Sequence, residues 1–470
     1  MPTPQFYNTL TRRLEPLEPR DGQGKNLLIY TCGPTVYANA HIGNFRAYVF
    51  EDLLQRHLQE RGFKVRRVMN ITDVDDKTIR GARESGMSLG EYTRPFKQAF
   101  FEDAETLRLL KAEAYPAATD PEHIARMIAM IDTLQKRGHA YQAEDKSVYF
   151  RISSYPGYGQ LARIDPAGQR PGQRVASDEY EKEDIADFAL WKAWVPEDGA
   201  VVWESPWGKG RPGWHIECSA MATGMLGETI DIHCGGVDNI FPHHEAEIAQ
   251  CECSRQGDAP FVRYWMHCAH LMVEGAKMAK SSGNFFTLRD LLQMGWTGRE
   301  VRYVLMGVHY RSSLNFTIEG LSAARGVLAR LDEWNKRLLE MVAADQTSEK
   351  PDAATEGFFT SLDDDLNISG ALAALFETVR ESNRRMDQNR LTPPQARGLL
   401  DWYEKVNSVL AIQTDTSTET FPEIDALLAE RASARLLKDW QRSDLLRDKL
   451  AALGWLVKDT KKGQKATKHP

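Results

Sequence analysis

The stretch Lys25–Asn44, KNLLIYTCGPTVYANAHIGN, decides the fold. It opens as a short apolar run with a β-leaning centre and continues through a turn-rich segment with two glycines and a proline. From Asn44 to Glu60 the apolar residues Val49, Phe50, Leu53, Leu54 and Leu58 recur at helical spacing, and Gly62 stands where a glycine ends a helix. KVRRVMNIT, starting at Lys64, then reads as a second strand. Strand, helix and strand at this length predict parallel strands joined by a right-handed crossover. In such α/β sheets ligands bind beyond the carboxyl ends of the strands, where Gly33–Asn44 fall.

Working outward, an amphipathic helix (Ile124, Met127, Ile128, Ile131, Leu134) and a Gly/Pro/Ser-rich region beginning SSYPGYG mark residues 120–200 as an insertion between two halves of a sheet. The sheet pattern resumes at ETIDIHCGGVDN, residues 228–239. From Leu321 the pattern is helical, and QTDTSTETFPE reads as a linker to a short closing module. The expected organisation is therefore 1–119, first half of a catalytic α/β domain; 120–200, insertion; 201–265, second half; 266–320, a connecting region; 321–412, helical bundle; and 421–470, basic module.

The 470 residues are 42% hydrophobic and 27% charged, the composition of a soluble globular protein of two to four domains. No apolar run approaches the roughly 20 residues that cross a bilayer, and the first 20 residues carry acidic side chains and lack the apolar centre of a secretory signal. Six cysteines in such a chain are expected to be thiols or metal ligands in a reducing, cytoplasmic setting. The net charge is −7, but residues 426–470 hold eleven Lys/Arg against five Asp/Glu, so +6, which leaves −13 on the other 425. A basic terminal piece on an acidic body is a footprint of polyanion binding, although a solvated tail has the same composition.

Three motifs bear on chemistry. HIGN (His41–Asn44) opens the predicted helix: glycine lets a ligand approach, free N–H groups attract phosphate, and His41 can donate to a phosphoryl oxygen. KMAKSSGN (Lys277–Asn284) places two lysines in a loop suited to closing on a triphosphate. Each alone is a weak signal. FPHHEAEIAQ (Phe241–Gln250) packs two histidines and two carboxylates into five positions. If it is helical, His243 and Glu247 share a face and can chelate one metal, with soft ligands completing the set if the metal is zinc.

HIGN and KMAKS together resemble the two signature motifs of class I aminoacyl-tRNA synthetases. YNTLTRRLEPLEP, YTCGPTVYANAHIGN, MNITDVDDKTIRGA, DFALWK, SPWGKGRPGWHIECSAM, GGVDNIFPHHEAEIAQ and LDDDLNISGALAALF resemble, in order and over nearly the whole chain, the cysteinyl-tRNA synthetases. The resemblance implies a Rossmann-type parallel-sheet catalytic domain with an insertion, a stem-contact region at 266–320 carrying the lysine loop, a helical bundle and an anticodon-binding module. It implies one zinc per chain on Cys32, Cys218, His243 and Glu247, which takes the substrate thiolate as a further ligand, and magnesium arriving with ATP. The implied substrates are L-cysteine, ATP and tRNA(Cys). The reaction forms cysteinyl-adenylate and pyrophosphate, then transfers the acyl group to the terminal ribose of tRNA, without a covalent enzyme intermediate. His41, Lys277 and Lys280 are the expected catalytic residues. Gly43, Asn44, Asp238 and Lys280 are expected at ATP, with Asp238 open to the substrate ammonium as well. Thr72, Trp214 and His233 are expected around cysteine, with His244 and Glu245 as supporting or packing residues. A monomer without membrane contact is expected.

The chain departs from the family pattern at Asn44, where a second His is usual, at Ala279, where Ser is usual, at Cys234, where glycine is expected, and at Trp265–His270, WMHCAH, instead of Asn-Gly before the last His. No Trp follows Gly463, which bears on anticodon recognition rather than chemistry. Three rival readings exist. A ligase passing cysteine to an amino sugar resembles this family but lacks an anticodon-binding domain. A zinc hydrolase of the His-Glu-x-x-His type is opposed by Ile248, which stands where the second His belongs. A non-catalytic tRNA-binding relic would not need His41, the lysines and all four ligands.

Overall fold

The computed structural model describes residues 3–22, 24–164, 174–175, 186–278, 283–342, 348–349, 355–414, 422–437, 439–460 and 463–468. The chain divides into two units, Met1–Ile412 and Gln413–Pro470. The centre of the first is a four-stranded sheet of β1 (Asn26–Thr31), β2 (Lys64–Met69), β3 (Ile230–Gly236) and β4 (Val262–Cys268). The order is β4-β3-β1-β2 and every pairing is parallel. β1 buries all but its first residue, as a central parallel strand must.

Helix α1 (Ile42–Glu60) crosses from β1 to β2. Its start is a capping box: His41 Nδ1 accepts from the Asn44 N–H at 3.2 Å, and Asn44 Oδ1 accepts from the His41 N–H at 3.1 Å. Two otherwise orphaned donors are satisfied, which is the structural use of asparagine at position 44. At the other end Gly62 has φ +81°, and its N–H and that of Phe63 bond back to Gln59 and Leu58. An added Cβ is strained at that φ, so Gly62→Ala should lower stability by about 1 kcal/mol, read as an earlier urea midpoint. An unchanged midpoint would contradict the assignment.

The insertion differs from expectation in two ways. Its first helix, Pro121–Lys136, packs Ile124, Met127, Ile131 and Leu134 into one core with Ile216, Met221, Ile248 and Ala249, and so covers the catalytic sheet. Its own mostly antiparallel sheet is centred on Asp187–Ala193 and takes an edge strand from Gly210–Pro212, past the expected boundary at 200. Likewise β4 runs to Cys268 rather than stopping at 265, and the first bundle helix starts at Ile318.

Beyond β4, Leu271–Val273 pairs in parallel with Leu314–Phe316 and turns back through Ala276–Lys277. The bundle helices Ile318–Met341, Glu356–Asp363, Ile368–Asp387 and Pro393–Leu410 share a core with α1. Fully buried Arg302 rivets these layers, pairing with Asp52 of α1 at 2.5 Å and donating to the carbonyls of Leu107 and Leu410. The second unit has helices Pro422–Leu436 and Trp440–Ala452 and an antiparallel hairpin, Trp455–Thr460 with Gly463–Lys468, around Ile424, Leu427, Leu446 and Leu450.

Candidate metal centre and nucleotide edge

Four segments converge at the carboxyl ends of β1 and β3. Cys32 follows β1 directly. Cys218 lies on α2 (Trp214–Leu226), and His243 ends the turn Ile240–His244, whose backbone kinks at Phe241 before α3 (Glu245–Ser254) carries Glu247. The i, i+4 relation expected of His243 and Glu247 survives that kink, with Nε2 and Oε1 3.0 Å apart.

The ligand atoms of Cys32, Cys218, His243 and Glu247 all lie within 4.8 Å of one another. Tetrahedral zinc needs donors roughly 3.3–3.8 Å apart, so a small contraction closes this set on an ion. Among the described residues a second set, Cys32, His233, His244 and Glu247, meets the same spacing. The two share Cys32 and Glu247, but the first has two thiols and is the softer.

The electrostatics favour a cation. Burial disfavours a charged imidazole at His243, yet Cys218 and Glu247 beside it carry its pKa up to about 10. Burial also opposes ionisation of Glu247, but His233 and His243 hold its carboxyl down at about 2. The hydrogen bond from Cys32, with the charge of His243, brings Cys218 down to about 6 despite burial. Cys32 is pushed up by burial and by Cys218. The positive charge that holds Cys218 and Glu247 ionised here is that of the His233 and His243 imidazoles, and a cation bound to the set would take over that role as His243 gives up its proton.

Surrounding side chains hold the donors in place. His215 Nδ1 meets His243 Nδ1 at 2.8 Å, and Trp214 stacks on the His243 ring at 4.3 Å. His233 Nε2 lies 2.9 Å from Glu247 Oε2, and its ring stacks on Trp265 at 4.7 Å. His244 Nε2 is 3.3 Å from Cys32 Sγ, and its Nδ1 reaches His267, which meets Thr9. Such partners fix ring orientation in metal sites. His215 and His267 were not singled out in the sequence, although His215 stands three residues before Cys218 on α2 and so shares its face. Glu245 turns away and accepts from the N–H groups of Gly159, Leu161 and Ala162, clamping an insertion loop.

The two phosphate-type motifs meet. The Ile42 N–H donates to the Phe286 carbonyl at 3.0 Å, and His41 packs edge-on against Phe285. A Cβ at Gly43 would lie 2.8 Å from Met278 Cε, which places the Met278 side chain of the lysine loop against the helix start. Lys277 closes the hairpin, and its carbonyl accepts from Asn284. Lys280 and Ala279 lie outside the described residues. Because His41 Nδ1 accepts from Asn44, its Nε2 carries the proton and can donate outward; burial lowers its pKa and favours the neutral ring. Thr72 is buried, bonded to Asn70 and to the backbone of Pro34, so it sits beside the segment after Cys32. Asp238 lies in the short turn after β3, paired with His270.

Comparison with known proteins decides the family. Residues 19–326 match the family described as tRNA synthetases class I (C) catalytic domain. Residues 357–414 match the DALR domain, and 418–465 the cysteinyl-tRNA ligase anticodon binding domain. Cysteine–tRNA ligases of Chlamydia abortus and Chlamydia muridarum are 50% and 48% identical, covering 99% and 98% of this chain and 98% and 99% of theirs.

The chain belongs to the cysteine–tRNA ligase family.

That membership extends along both units. A Mycobacterium tuberculosis methionyl-tRNA synthetase in complex with methionyl-adenylate superposes with a TM-score of 0.59 at 16% identity, over 82% of this chain and 89% of that one. An Agrobacterium radiobacter LeuRS–tRNA ternary complex gives 0.61 at 12% identity, over 84% of each. At such identity these two report the fold, that of class I synthetases. Within the described residues no helix is long and apolar enough to cross a membrane.

Proposed function

We propose that the protein activates L-cysteine with ATP, forming cysteinyl-adenylate and pyrophosphate, and passes the acyl group to the 3′-terminal ribose of tRNA(Cys). The observation that carries this reading is the set of half-buried Cys32 with buried Cys218, His243 and Glu247, placed at the sheet edge beside the converging HIGN and lysine-loop motifs. One zinc per chain would be held by those four residues and would supply a Lewis acid that prefers thiolate to hydroxyl. Cysteine and serine are nearly isosteric, so pocket shape alone discriminates poorly between them. Trp214 and His233 wall the side-chain pocket, and Thr72 helps fix the amino acid. His41 donates from Nε2 to a phosphoryl oxygen, Gly43 and Asn44 stand at the phosphates, and Asp238 receives the nucleotide ribose. Lys277 and Lys280 neutralise charge that develops on phosphate, and magnesium accompanies ATP. Catalysis is then positioning and charge stabilisation.

Cysteine-dependent pyrophosphate–ATP exchange, run against serine, tests this. Exchange with cysteine and little with serine is expected; no exchange by metal-loaded protein defeats the proposal. An acceptor test with tRNA against an amino sugar then separates the two cysteine-activating classes.

The second unit is assigned to the anticodon end of tRNA. Its support is the +6 charge of residues 426–470, together with Trp440, 57% exposed, beside the Arg435 guanidinium. An exposed ring and a cation offer stacking to an unpaired base. Truncation before Pro422 should leave cysteine activation nearly intact, because every proposed catalytic and ligand residue precedes Gly283. Affinity for tRNA should fall about tenfold or more, and the log–log salt slope should flatten by somewhat under one for each lost phosphate contact. Coincident affinities and slopes for the two proteins would leave only a solvated tail. The active unit is taken to be a monomer.

A further inference from the structure

We propose that His270 is a positioning residue for the nucleotide, holding the Asp238 carboxylate where it receives the ATP ribose. This rests on the reading of Asp238 as a nucleotide contact. His270 Nδ1 lies 3.2 Å from Asp238 Oδ2, and the side chains are 51% and 59% exposed, so the pair stands open to a ligand. Asp238 sits in the three-residue turn Val237–Asn239 after β3, and His270 follows β4. Both therefore stand at the carboxyl edge of adjacent parallel strands, the edge at which such sheets bind nucleotides.

The backbone explains why the histidine can act as a fixed support. The His270 carbonyl accepts from the Leu314 N–H at 3.1 Å, and the next residue begins the Leu271–Val273 strand, held in register by Leu314–Phe316. Asp238, by contrast, lies in a short exposed turn. The His270 ring nitrogen, 3.2 Å from Oδ2, limits the positions that carboxylate can take and still leaves lone pairs for ribose hydroxyls, since a carboxylate accepts up to about four hydrogen bonds. The same pair links the root of the Lys277 hairpin to the turn after β3, so the ribose acceptor and the lysine loop are placed by one element.

The test uses the full-length, metal-loaded protein and pyrophosphate–ATP exchange. His270→Ala should raise the KM for ATP about five- to tenfold, equivalent to about 1.0–1.4 kcal/mol and in the net range of an ordinary exposed polar contact. The kcat, the KM for cysteine and the metal content should stay within about twofold of wild type. His270→Gln, which keeps a donor, should recover most of the ATP affinity. A structural role would instead move kcat, both KM values and the melting temperature together, and that pattern overturns the inference. If Asp238→Asn weakens ATP while His270→Ala does not, the inference fails and the nucleotide reading of Asp238 stands. If neither weakens ATP, both fail.

Discussion

His243→Ala is expected to strip the metal from the centre and lower cysteine activation by at least about a hundredfold. Loss of a residue that merely supports a ligand typically costs 10- to 100-fold in metal affinity or activity, and loss of the ligand itself should cost no less. The geometry sharpens this expectation. His243 faces Glu247 at 3.0 Å and is backed by His215 and Trp214, so alanine leaves Glu247 and Cys218 buried with less compensating charge. Cys218→Ser should act in the same direction, since a hydroxyl replaces a thiol brought down to about 6. Metal content by elemental analysis, set beside exchange rates with cysteine and serine, gives two independent readouts. Full cysteine activation by protein verified to be metal-free would remove the proposed role of the centre.

The second large effect is expected at the start of α1. His41→Ala should lower the single-turnover rate of adenylate formation about 10²- to 10³-fold, with cysteine affinity nearly unchanged. That is the usual loss when one preorganised donor to a developing charge is removed, and it appears in kcat because the charge exists only in the transition state. The same substitution removes a helix cap, since His41 Nδ1 accepts from Asn44, and so should cost about 1 kcal/mol of stability. His41→Asn separates the two effects. Asparagine is a good cap and should restore the urea midpoint, but its amide is too short to replace the outward Nε2–H, so the rate should stay low. Recovery of both by asparagine would make position 41 a cap and nothing more.

The two strands and α1 around residues 25–69 were legible because their apolar residues follow one period and a glycine ends the helix where backbone geometry demands it. The capping box was not. Asn44 looked only like a departure from the family signature, and its bond to the His41 N–H depends on cap geometry that a linear pattern does not display. At the metal centre, only His243 and Glu247 were joined by spacing. Cys32 and Cys218 came through family resemblance, because a sheet edge collects residues from distant segments without leaving a local period. His267 escaped for the same reason, whereas His215, three residues before Cys218 on one helix, was within reach of a spacing argument. The edge strand Gly210–Pro212, which joins the insertion's sheet past residue 200, gave no signal because three residues are too short to show alternation.

The Cys32 thiol and the Glu247 carboxylate approach within 3.9 Å across a sequence separation of 215 residues. In small zinc modules the ligands are near neighbours and metal uptake can drive the chain to fold. Here closing so long a loop around an ion in the unfolded chain would cost configurational entropy with little else formed to offset it. The central strands and α2 must already be assembled before the four donors meet. An ion held by these four residues would therefore enter as a final lock on a nearly finished architecture.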